Sequence, residues 1–135
     1  MGTQSYGIDP ARLQLYAEEI ATAGRKGIQI AIVIGGGNIF RGFKGSLQGF
    51  DRQTCDYIGM LATVINSLAL QSELERQGMK VKLMSALEIE GLAERANGLK
   101  AIKYLESGQV VILSGGTGNP YFTTDTASAL RAVEI

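Results

Sequence analysis

The chain has 135 residues, 45% of them hydrophobic, which allows at most one ordinary domain with a packed core. Thirteen acidic and thirteen basic residues give a formal net charge of zero, which argues against a general binder of nucleic acid or membrane surfaces. The sequence contains no histidine, and this excludes Ser-His and Cys-His nucleophilic schemes and His-based metal sites. Its chemistry must therefore rest on backbone amides, carboxylates, lysine or arginine and a borrowed ion, as phosphoryl transfer does.

The cysteine content and the apolar runs bear on the cellular compartment. Cys55 is the single cysteine, which excludes an internal disulfide framework and fits a reducing compartment. The sequence has no apolar run of the roughly 18 residues that a membrane span needs. Its N-terminus also lacks the layout of a signal peptide. We therefore expect a cytoplasmic protein without membrane contact, and we assign no residue to a metal site held by the protein alone.

The first predicted elements are a helix and a strand that follow each other directly. Asp9 is a plausible N-cap and Pro10 suits the first helical position, so a helix should run through Arg25 and stop at Gly27. The apolar run Ile28–Ile34 lacks period-2 alternation. This pattern predicts a strand buried on both faces, as in a parallel sheet covered by helices.

A glycine triplet, Gly35–Gly37, stands at the carboxyl end of that strand, where open α/β sheets bind their ligands. Without Cβ atoms, the amides of Gly36 and Gly37 can approach an anion closely. Asn38 would open a helical turn there, and Arg41 would add a charge-assisted contact to a phosphate. The alternative is a tight strand-to-helix turn with a surface arginine. Spacing alone does not decide between the two.

The remaining elements alternate between helix and strand. A long helix is predicted at Asp51–Gln77, with Asp51 as a plausible N-cap and Gly78 as its terminator. Residues 57–70 are apolar on nearly every side of this helix, so part of that surface should meet another subunit. The stretch 86–97 is ambiguous, and we expect one or two helical turns in it. The other predicted elements are a loop at 43–50, strands at Val81–Met84 and Gln109–Ser114, and helices at Leu99–Ser107 and Thr124–Glu134.

This order of elements predicts the fold class. Strands alternate with helices, and glycines stand at the strand ends. Such alternation is typical of α/β proteins in which helices cover both faces of the sheet. We therefore predict an α/β protein, a three-layer α/β/α sandwich with a mostly parallel sheet.

A second candidate site is the segment 115–125, whose sequence is GGTGNPYFTTD. Its uncharged polar side chains suit a uracil-like base and a ribose, and Thr123 or Thr124 can N-cap the last helix, which would leave its first amides pointed at the loop. The alternative is an ordinary capped helix after a Gly-Asn-Pro turn. Asp125 complements the helix dipole, and it could also contact Mg²⁺ or a hydroxyl group. Asp56, near the start of the long helix, could accept hydrogen bonds from ribose hydroxyls or merely stabilise the helix dipole.

Three separated strings carry a family resemblance: GGGNIFRG at 35–42, DYIGMLATVINSLALQ at 56–71 and GGTGNPYFTTDTASALRAVEI at 115–135. Together they resemble the bacterial uridylate (UMP) kinases of the amino-acid-kinase superfamily, over essentially the whole chain. The resemblance implies transfer of the γ-phosphoryl group of ATP to UMP, giving UDP in pyrimidine nucleotide biosynthesis, with Mg²⁺. It also implies a homo-oligomer, usually a hexamer, and this agrees with the apolar helix.

The resemblance also implies roles for individual residues. Gly36 and Asp56 would bind UMP, and Gly37 and Arg41 would lie near the ATP phosphates, with Arg41 and Asp125 as catalytic candidates. The UMP contacts would be completed by the loop residues Thr117, Gly118, Asn119, Pro120, Tyr121, Phe122, Thr123 and Thr124. The N-terminal segment looks like one linked to allosteric activation by GTP in some members, and it comprises Gly2, Thr3, Gln4, Ser5, Tyr6 and Gly7.

The chain departs from the family pattern at both ends. A first strand with a Lys-Leu-Ser-Gly-type phosphate loop and a C-terminal part with most of the ATP site are absent from the sequence. We therefore expect residues 1–135 to form a single partial domain, an incomplete amino-acid-kinase-like fold that binds UMP and has little or no kinase activity alone. The alternatives are another phosphotransferase of the superfamily, with an acceptor such as glutamate or carbamate, and a non-catalytic nucleotide-binding or assembly module.

Overall fold

A parallel sheet organises the computed structural model, which describes residues 6–41 and 49–135. In these ranges the helices are α1 (Pro10–Arg25), α2 (Arg52–Arg76), α3 (Gly98–Glu106) and α4 (Thr124–Glu134). The strands are β1 (Ala31–Val33), β2 (Val81–Ser85), β3 (Glu94–Arg95) and β4 (Val110–Ser114). The strands of the described part lie in the order β1-β4-β2-β3, and every pairing is parallel. The expectations for residues 2–5 and for most of the loop at 43–50 lie outside the described residues.

Helices cover both faces of this sheet. On one face, α1 and α2 pack against each other, and Leu74 of α2 is buried with Leu83 and Ile112 of the strands. On the other face, α3 packs on β4 and contacts α4, and Leu105 is buried with Val111. Alternate residues of β4 thus point to opposite layers, as a pleated strand requires. The predicted three-layer α/β/α class with a parallel sheet is confirmed.

The helix starts follow the predicted caps. The Asp9 carboxylate accepts hydrogen bonds from the amides of Ala11 and Arg12, at 3.0 and 3.2 Å. Asp51 accepts from the amide of Thr54 at 2.9 Å, and α4 has the predicted bounds. Each cap satisfies an amide that has no partner within the first turn, and this fixes where the helix begins.

The first strand corrects a prediction. The run Ile28–Ile34 was expected to form one strand buried on both faces, but only Ala31–Val33 is strand, and Ala31 is exposed. In the described sheet β1 pairs on one side only, with β4, and it is an edge strand there. The predicted burial pattern instead fits β4, whose five residues are all buried between β1 and β2.

The stretch 86–97 corrects another prediction. It contains no helix: residues 90–92 form a hydrogen-bonded turn, in which the Ile89 carbonyl accepts from the amides of Leu92 and Ala93, and Glu94–Arg95 forms β3, which pairs with β2. Gly91, with φ 81°, allows the tight reversal before β3, and an antiparallel bridge joins Ile89 to Ala93. The free edge of β2 supplies partners for these backbone groups, and this tertiary pairing overrides the weak local preference for helix.

Helix α2 is apolar on most sides but not buried on all of them. Tyr57, Leu61 and Ile65 are 39%, 48% and 49% exposed, one helical turn apart along a single stripe. The expectation that part of this helix meets another subunit stays a prediction. Among the helices of the described residues, none has the length and hydropathy that crossing a membrane requires.

Candidate functional site

A cleft of about 180 Å³ opens where β1 and β4 end, between the glycine triplet, the loop 115–124 and the first turns of α2. The structure brings both predicted sites together here, because the carboxyl ends of parallel strands share one edge of the sheet. The predicted residues that line the cleft are Gly36, Gly37, Asp56, Thr117, Asn119, Phe122, Thr123 and Thr124. Cys55, Gly59, Met60, Thr63, Phe40 and Gly116 line it as well.

Gly36 lies where the chain after β1 crosses directly over α2. A Cβ at this position would lie 2.7 Å from the Cβ of Ala62 and 2.8 Å from the carbonyl oxygen of Gly59. The Gly36 carbonyl accepts hydrogen bonds from the amides of Ile39 and Phe40, at 2.9 and 3.0 Å, and so closes the turn that follows. Glycine is therefore required here by the packing of this backbone against the helix.

Two asparagines hold this turn from behind. Asn66 of α2 is fully buried, and its Nδ2 donates to the carbonyl of Gly35 at 2.7 Å and to Oδ1 of Asn38 at 2.6 Å. The Nδ2 of Asn38 donates in turn to Oδ1 of Asn66 and to the carbonyl of Gly7. The sequence analysis did not identify Asn66. Its polar side chain within the apolar run 57–70 was the signal that could have indicated a buried hydrogen-bonding role.

Thr63 supports the other side of the cleft. Its hydroxyl is buried, donates to the carbonyl of Met60 at 2.6 Å and accepts from the amide of Gly115 at 2.8 Å. This bond joins the middle of α2 to the first residue after β4. Sequence reasoning also missed Thr63, although its position seven residues after Asp56 places both on one helix face.

Asp56 lies in the cleft, as expected from its place near the start of α2. Both of its carboxylate oxygens lie 3.0 Å from Nε of Arg52, and Oδ2 also accepts from the amide of Tyr121 at 2.8 Å. The Asp56 side chain is 16% exposed. Among the described residues that line the cleft, Asp56 is the charged one.

The loop 115–124 is shaped by glycines and a helix cap. Gly115, Gly116 and Gly118 have φ between 60° and 82°, in the left-handed region that glycine adopts without strain. The Thr117 hydroxyl accepts from the amide of Asn119 at 3.2 Å, and the Thr123 hydroxyl accepts from that of Thr126 at 3.3 Å. The loop therefore turns uncharged polar groups and the start of α4 toward the cleft.

The other predicted site residues lie around the cleft rather than in its lining. Arg41 is exposed, and its Nε donates to the carbonyl of Gly37 at 3.2 Å, so the side chain folds back over the glycine turn. Asp125 is exposed in the first turn of α4. Gly118, Pro120 and Tyr121 belong to the loop but do not line the cleft.

Of the predicted allosteric segment, Tyr6 and Gly7 are described. Tyr6 is exposed, and Gly7 is joined to Asn38, whose carbonyl accepts its amide.

The chain matches known proteins over its whole length. The sequence model of the amino acid kinase family matches residues 1–135. A uridylate kinase of Parabacteroides distasonis is 57% identical over 135 residues, which are 100% of this chain and 57% of that protein. The UMP kinase from Bacillus anthracis superposes with a TM-score of 0.92 at 40% identity, over 98% of this chain and 55% of that one. The UMP kinase from Ureaplasma parvum gives a TM-score of 0.92 at 37% identity, over 99% and 57%. The chain thus spans little more than half the length of these relatives.

Proposed function

The chain belongs to the amino acid kinase family, and from this premise we propose that it carries the UMP site of a UMP kinase. The enzyme would transfer the γ-phosphoryl group of ATP to UMP and produce UDP for pyrimidine nucleotide biosynthesis. Residues 1–135 would supply the UMP-binding part of the kinase. The observation that carries this proposal is the convergence of the glycine turn, Asp56 and the Thr-rich loop on one cleft, in a chain similar to a uridylate kinase.

Each wall of the cleft suits one part of UMP. The Asp56 carboxylate accepts hydrogen bonds only, which suits the hydroxyl groups of a ribose. Thr117, Asn119 and Thr123 offer uncharged donors and acceptors to a uracil base. The amides near Gly36 and Gly37 suit the anionic phosphate, as does the start of α4.

The chemistry would depend on positioning and charge. Phosphoryl transfer places the attacking and leaving oxygens in line, and the protein mainly orients them and stabilises the spread of negative charge. Arg41, beside the glycine turn, would contribute positive charge near the ATP phosphates, together with the amide of Gly37. Both Arg41 and Asp125 are our proposed catalytic residues, and the ATP contacts of Arg41 remain part of this proposal.

Mg²⁺ would accompany ATP in this reaction. Within the described residues, no three His, Cys, Asp or Glu side chains converge on a point that could hold a metal ion. Mg²⁺ that accompanies a nucleotide is usually held by the substrate phosphates and water, with only one or two carboxylates from the protein, so such a cluster is not needed. Asp125, exposed at the start of α4, is the residue that we propose for such a contact.

One observation separates this proposal from a kinase with a carboxylate acceptor. A glutamate-like or carbamate acceptor would call for a lysine or arginine in the lining, since a carboxylate binds best to a cation. The described lining instead carries the negative Asp56 and uncharged polar groups. This composition favours a nucleotide with free ribose hydroxyls as the acceptor.

A titration of the purified protein with UMP, CMP, ATP and inorganic phosphate, followed by calorimetry, tests the proposal. We expect UMP to bind in preference to CMP, and Asp56→Asn to weaken UMP binding by about 10-fold or more, because a charged hydrogen-bond acceptor is lost. Asp51→Asn is the matched control, since it removes the same charge five residues before Asp56 and leaves a good N-cap. Absence of UMP binding would refute the UMP site, and ATP binding alone would favour a nucleotide-binding module of another kind.

We further propose that the protein is a cytoplasmic homo-oligomer, a hexamer in the intact enzyme, without nucleic-acid or membrane partners. The exposed stripe Tyr57, Leu61 and Ile65 supports self-association, because contiguous apolar side chains on a surface helix favour burial against a partner. Leu61→Glu should shift the sedimentation coefficient toward that of a monomer. An unchanged coefficient for this variant would argue against the stripe as a subunit contact.

A further inference from the structure

We infer that Arg52 is a positioning residue for the acceptor ribose, acting through Asp56, and that the two form a latch with the backbone of Tyr121. This inference rests on the proposed function, because it assigns the ribose to Asp56. The family resemblance assigns no role to Arg52, and Arg52 is not one of the residues that line the cleft. Its position one turn before Asp56 on α2 nevertheless places its guanidinium against that carboxylate.

The latch fixes the Asp56 carboxylate from two directions. Nε of Arg52 lies 3.0 Å from each carboxylate oxygen, and the amide of Tyr121 lies 2.8 Å from Oδ2. The guanidinium carbon of Arg52 also lies 5.3 Å from the centre of the Tyr121 ring, within the range of a cation–π contact. Helix α2 and the loop 115–124 are thereby joined across one end of the cleft.

The backbone of Tyr121 shows that the latch shapes the loop. Among residues 6–41 and 49–135, Tyr121 is the non-glycine residue with positive φ, at 70°. A bulky side chain in this region is strained, and such a conformation persists only where surrounding contacts hold it. The described contacts that hold it are the Asp56 carboxylate on its amide and Arg52 against its ring.

Acceptor geometry explains why fixing this carboxylate matters for a ribose. A carboxylate has about four lone-pair positions. Nε of Arg52 donates to both oxygens of Asp56, and the amide of Tyr121 also donates to Oδ2. The lone pair that can still accept a hydrogen bond therefore lies mainly on Oδ1. A ribose hydroxyl that donates to this oxygen meets an acceptor whose direction is already set. A 2′-deoxy analogue leaves that acceptor unpaired, so the latch should increase discrimination for ribonucleotides over deoxyribonucleotides.

The test compares UMP and dUMP binding to the purified protein and to Arg52→Gln, Arg52→Lys and Arg76→Gln. Arg76 is the matched control, because it pairs with Glu73 at the far end of the same helix. We expect Arg52→Gln to reduce the UMP-to-dUMP affinity ratio by about 3- to 10-fold, chiefly through weaker UMP binding. Arg52→Lys should recover part of the ratio, since lysine keeps the charge but lacks the planar fork. Arg76→Gln should leave the ratio unchanged.

A second measurement reads the latch without any nucleotide. Amide hydrogen exchange of Tyr121 should accelerate in Arg52→Gln and in Asp56→Asn, but not in Arg76→Gln. If the unsubstituted protein binds UMP selectively and Arg52→Gln keeps both the affinity ratio and the Tyr121 exchange rate, the inference is wrong and the proposed function stands. If the unsubstituted protein does not bind UMP, the proposed function fails, and the role of Arg52 in ribose binding fails with it.

Discussion

The side-chain amides of Asn38 and Asn66 bond each other in both directions, with Nδ2-to-Oδ1 distances of 2.6 and 3.1 Å. Asn66 is buried within α2, and Asn38 follows the glycine triplet. The pair therefore joins the long helix to the turn that forms one wall of the cleft. It also reaches Gly7, whose carbonyl accepts from Asn38, so the residues before α1 are attached to the same wall.

Asn66→Ala should lower the free energy of unfolding by about 2–3 kcal/mol. The substitution leaves the half-buried Gly35 carbonyl and Asn38 amide without the buried Asn66 side chain that pairs with them, and an unpaired group shielded from water costs about 1–3 kcal/mol. Urea unfolding followed by circular dichroism measures this. Gln14→Ala, which removes an exposed amide paired with Glu18, should change the free energy by less than about 0.5 kcal/mol. Equal effects of the two substitutions would show that the Asn38–Asn66 pair does not stabilise the fold.

Thr63→Val should lower the free energy of unfolding by about 1–3 kcal/mol while the packing volume stays the same. Valine replaces the hydroxyl that accepts the Gly115 amide, so a buried donor at the start of the loop 115–124 loses its partner. Thr22→Val is the matched control. The hydroxyl of Thr22 donates to the carbonyl of Glu18 at an exposed position, where water can replace the lost hydrogen bond. Thr22→Val should therefore leave the free energy of unfolding nearly unchanged. Thermal unfolding of both variants and the unsubstituted protein measures the difference, and equal losses for the two variants would contradict the role of the Thr63 hydroxyl.

Gly36→Ala should destabilise the protein by about 1–3 kcal/mol, because the new methyl group would collide with Ala62 and with the backbone of α2. Gly59→Ala is the matched comparison on the helix side of the same contact. A Cβ at Gly59 meets nothing within 4 Å, and alanine is the better helix former by about 0.8–1 kcal/mol. The midpoint of chemical denaturation should therefore fall for Gly36→Ala and rise for Gly59→Ala. A stabilising Gly36→Ala would contradict the close approach of strand end and helix.

Glu94 should make stability depend on pH in acid. Hydrogen bonds from Lys100, Lys82 and Tyr104, at 2.6, 2.8 and 2.8 Å, lower the pKa of Glu94 to about 2 from its usual 4.5. Because the folded-state pKa is depressed, the stabilisation is present above about pH 4.5 and is lost as the pH falls toward 2.

Glu94→Gln should accordingly be less stable than the unsubstituted protein at pH 7, by an amount on the order of 1 kcal/mol, since solvent screens a cluster at the sheet edge. The difference should shrink between pH 4.5 and pH 2, a window taken from the depressed pKa. Urea midpoints of both proteins across this range give the measurement. Glu88→Gln removes a carboxylate whose pair with Arg95 is largely exposed, and it serves as the control. A pH-independent difference for Glu94→Gln would contradict the assigned linkage.

Local signals were sufficient for the starts of α1, α2 and α4 and for the meeting of the two glycine-rich segments. Asp9, Asp51 and Thr123 each cap a helix where the sequence placed a cap, because capping depends on a side chain and amides only a few residues away. The two glycine-rich segments meet because parallel strands end on the same side of a sheet, which follows from topology alone.

Features that depend on distant partners could not be predicted from one sequence. The apolar composition of Ile28–Ile34 says that the run can be buried, but not how many strands flank it, and in the described sheet one flank is open. The strand β3 forms because β2 has a free edge, which no property of Glu94–Arg95 reveals. The roles of Thr63 and Asn66 depend on groups about 30 to 50 residues away in the chain, as their bonds to Gly35 and Gly115 show.

Helix α2 presents two stripes whose relationship has a mechanical consequence. Asp56, Gly59, Thr63 and Asn66 touch or line the cleft walls. At about 100° per residue, their mean direction lies about 180° from that of Tyr57, Leu61 and Ile65, which face outward. Because both stripes belong to one helix, a rotation of α2 that reseats the outer stripe would also move its cleft residues relative to the glycine turn and the loop 115–124. Burial of Tyr57, Leu61 and Ile65 against a partner and the width of the cleft would then depend on the same orientation of α2.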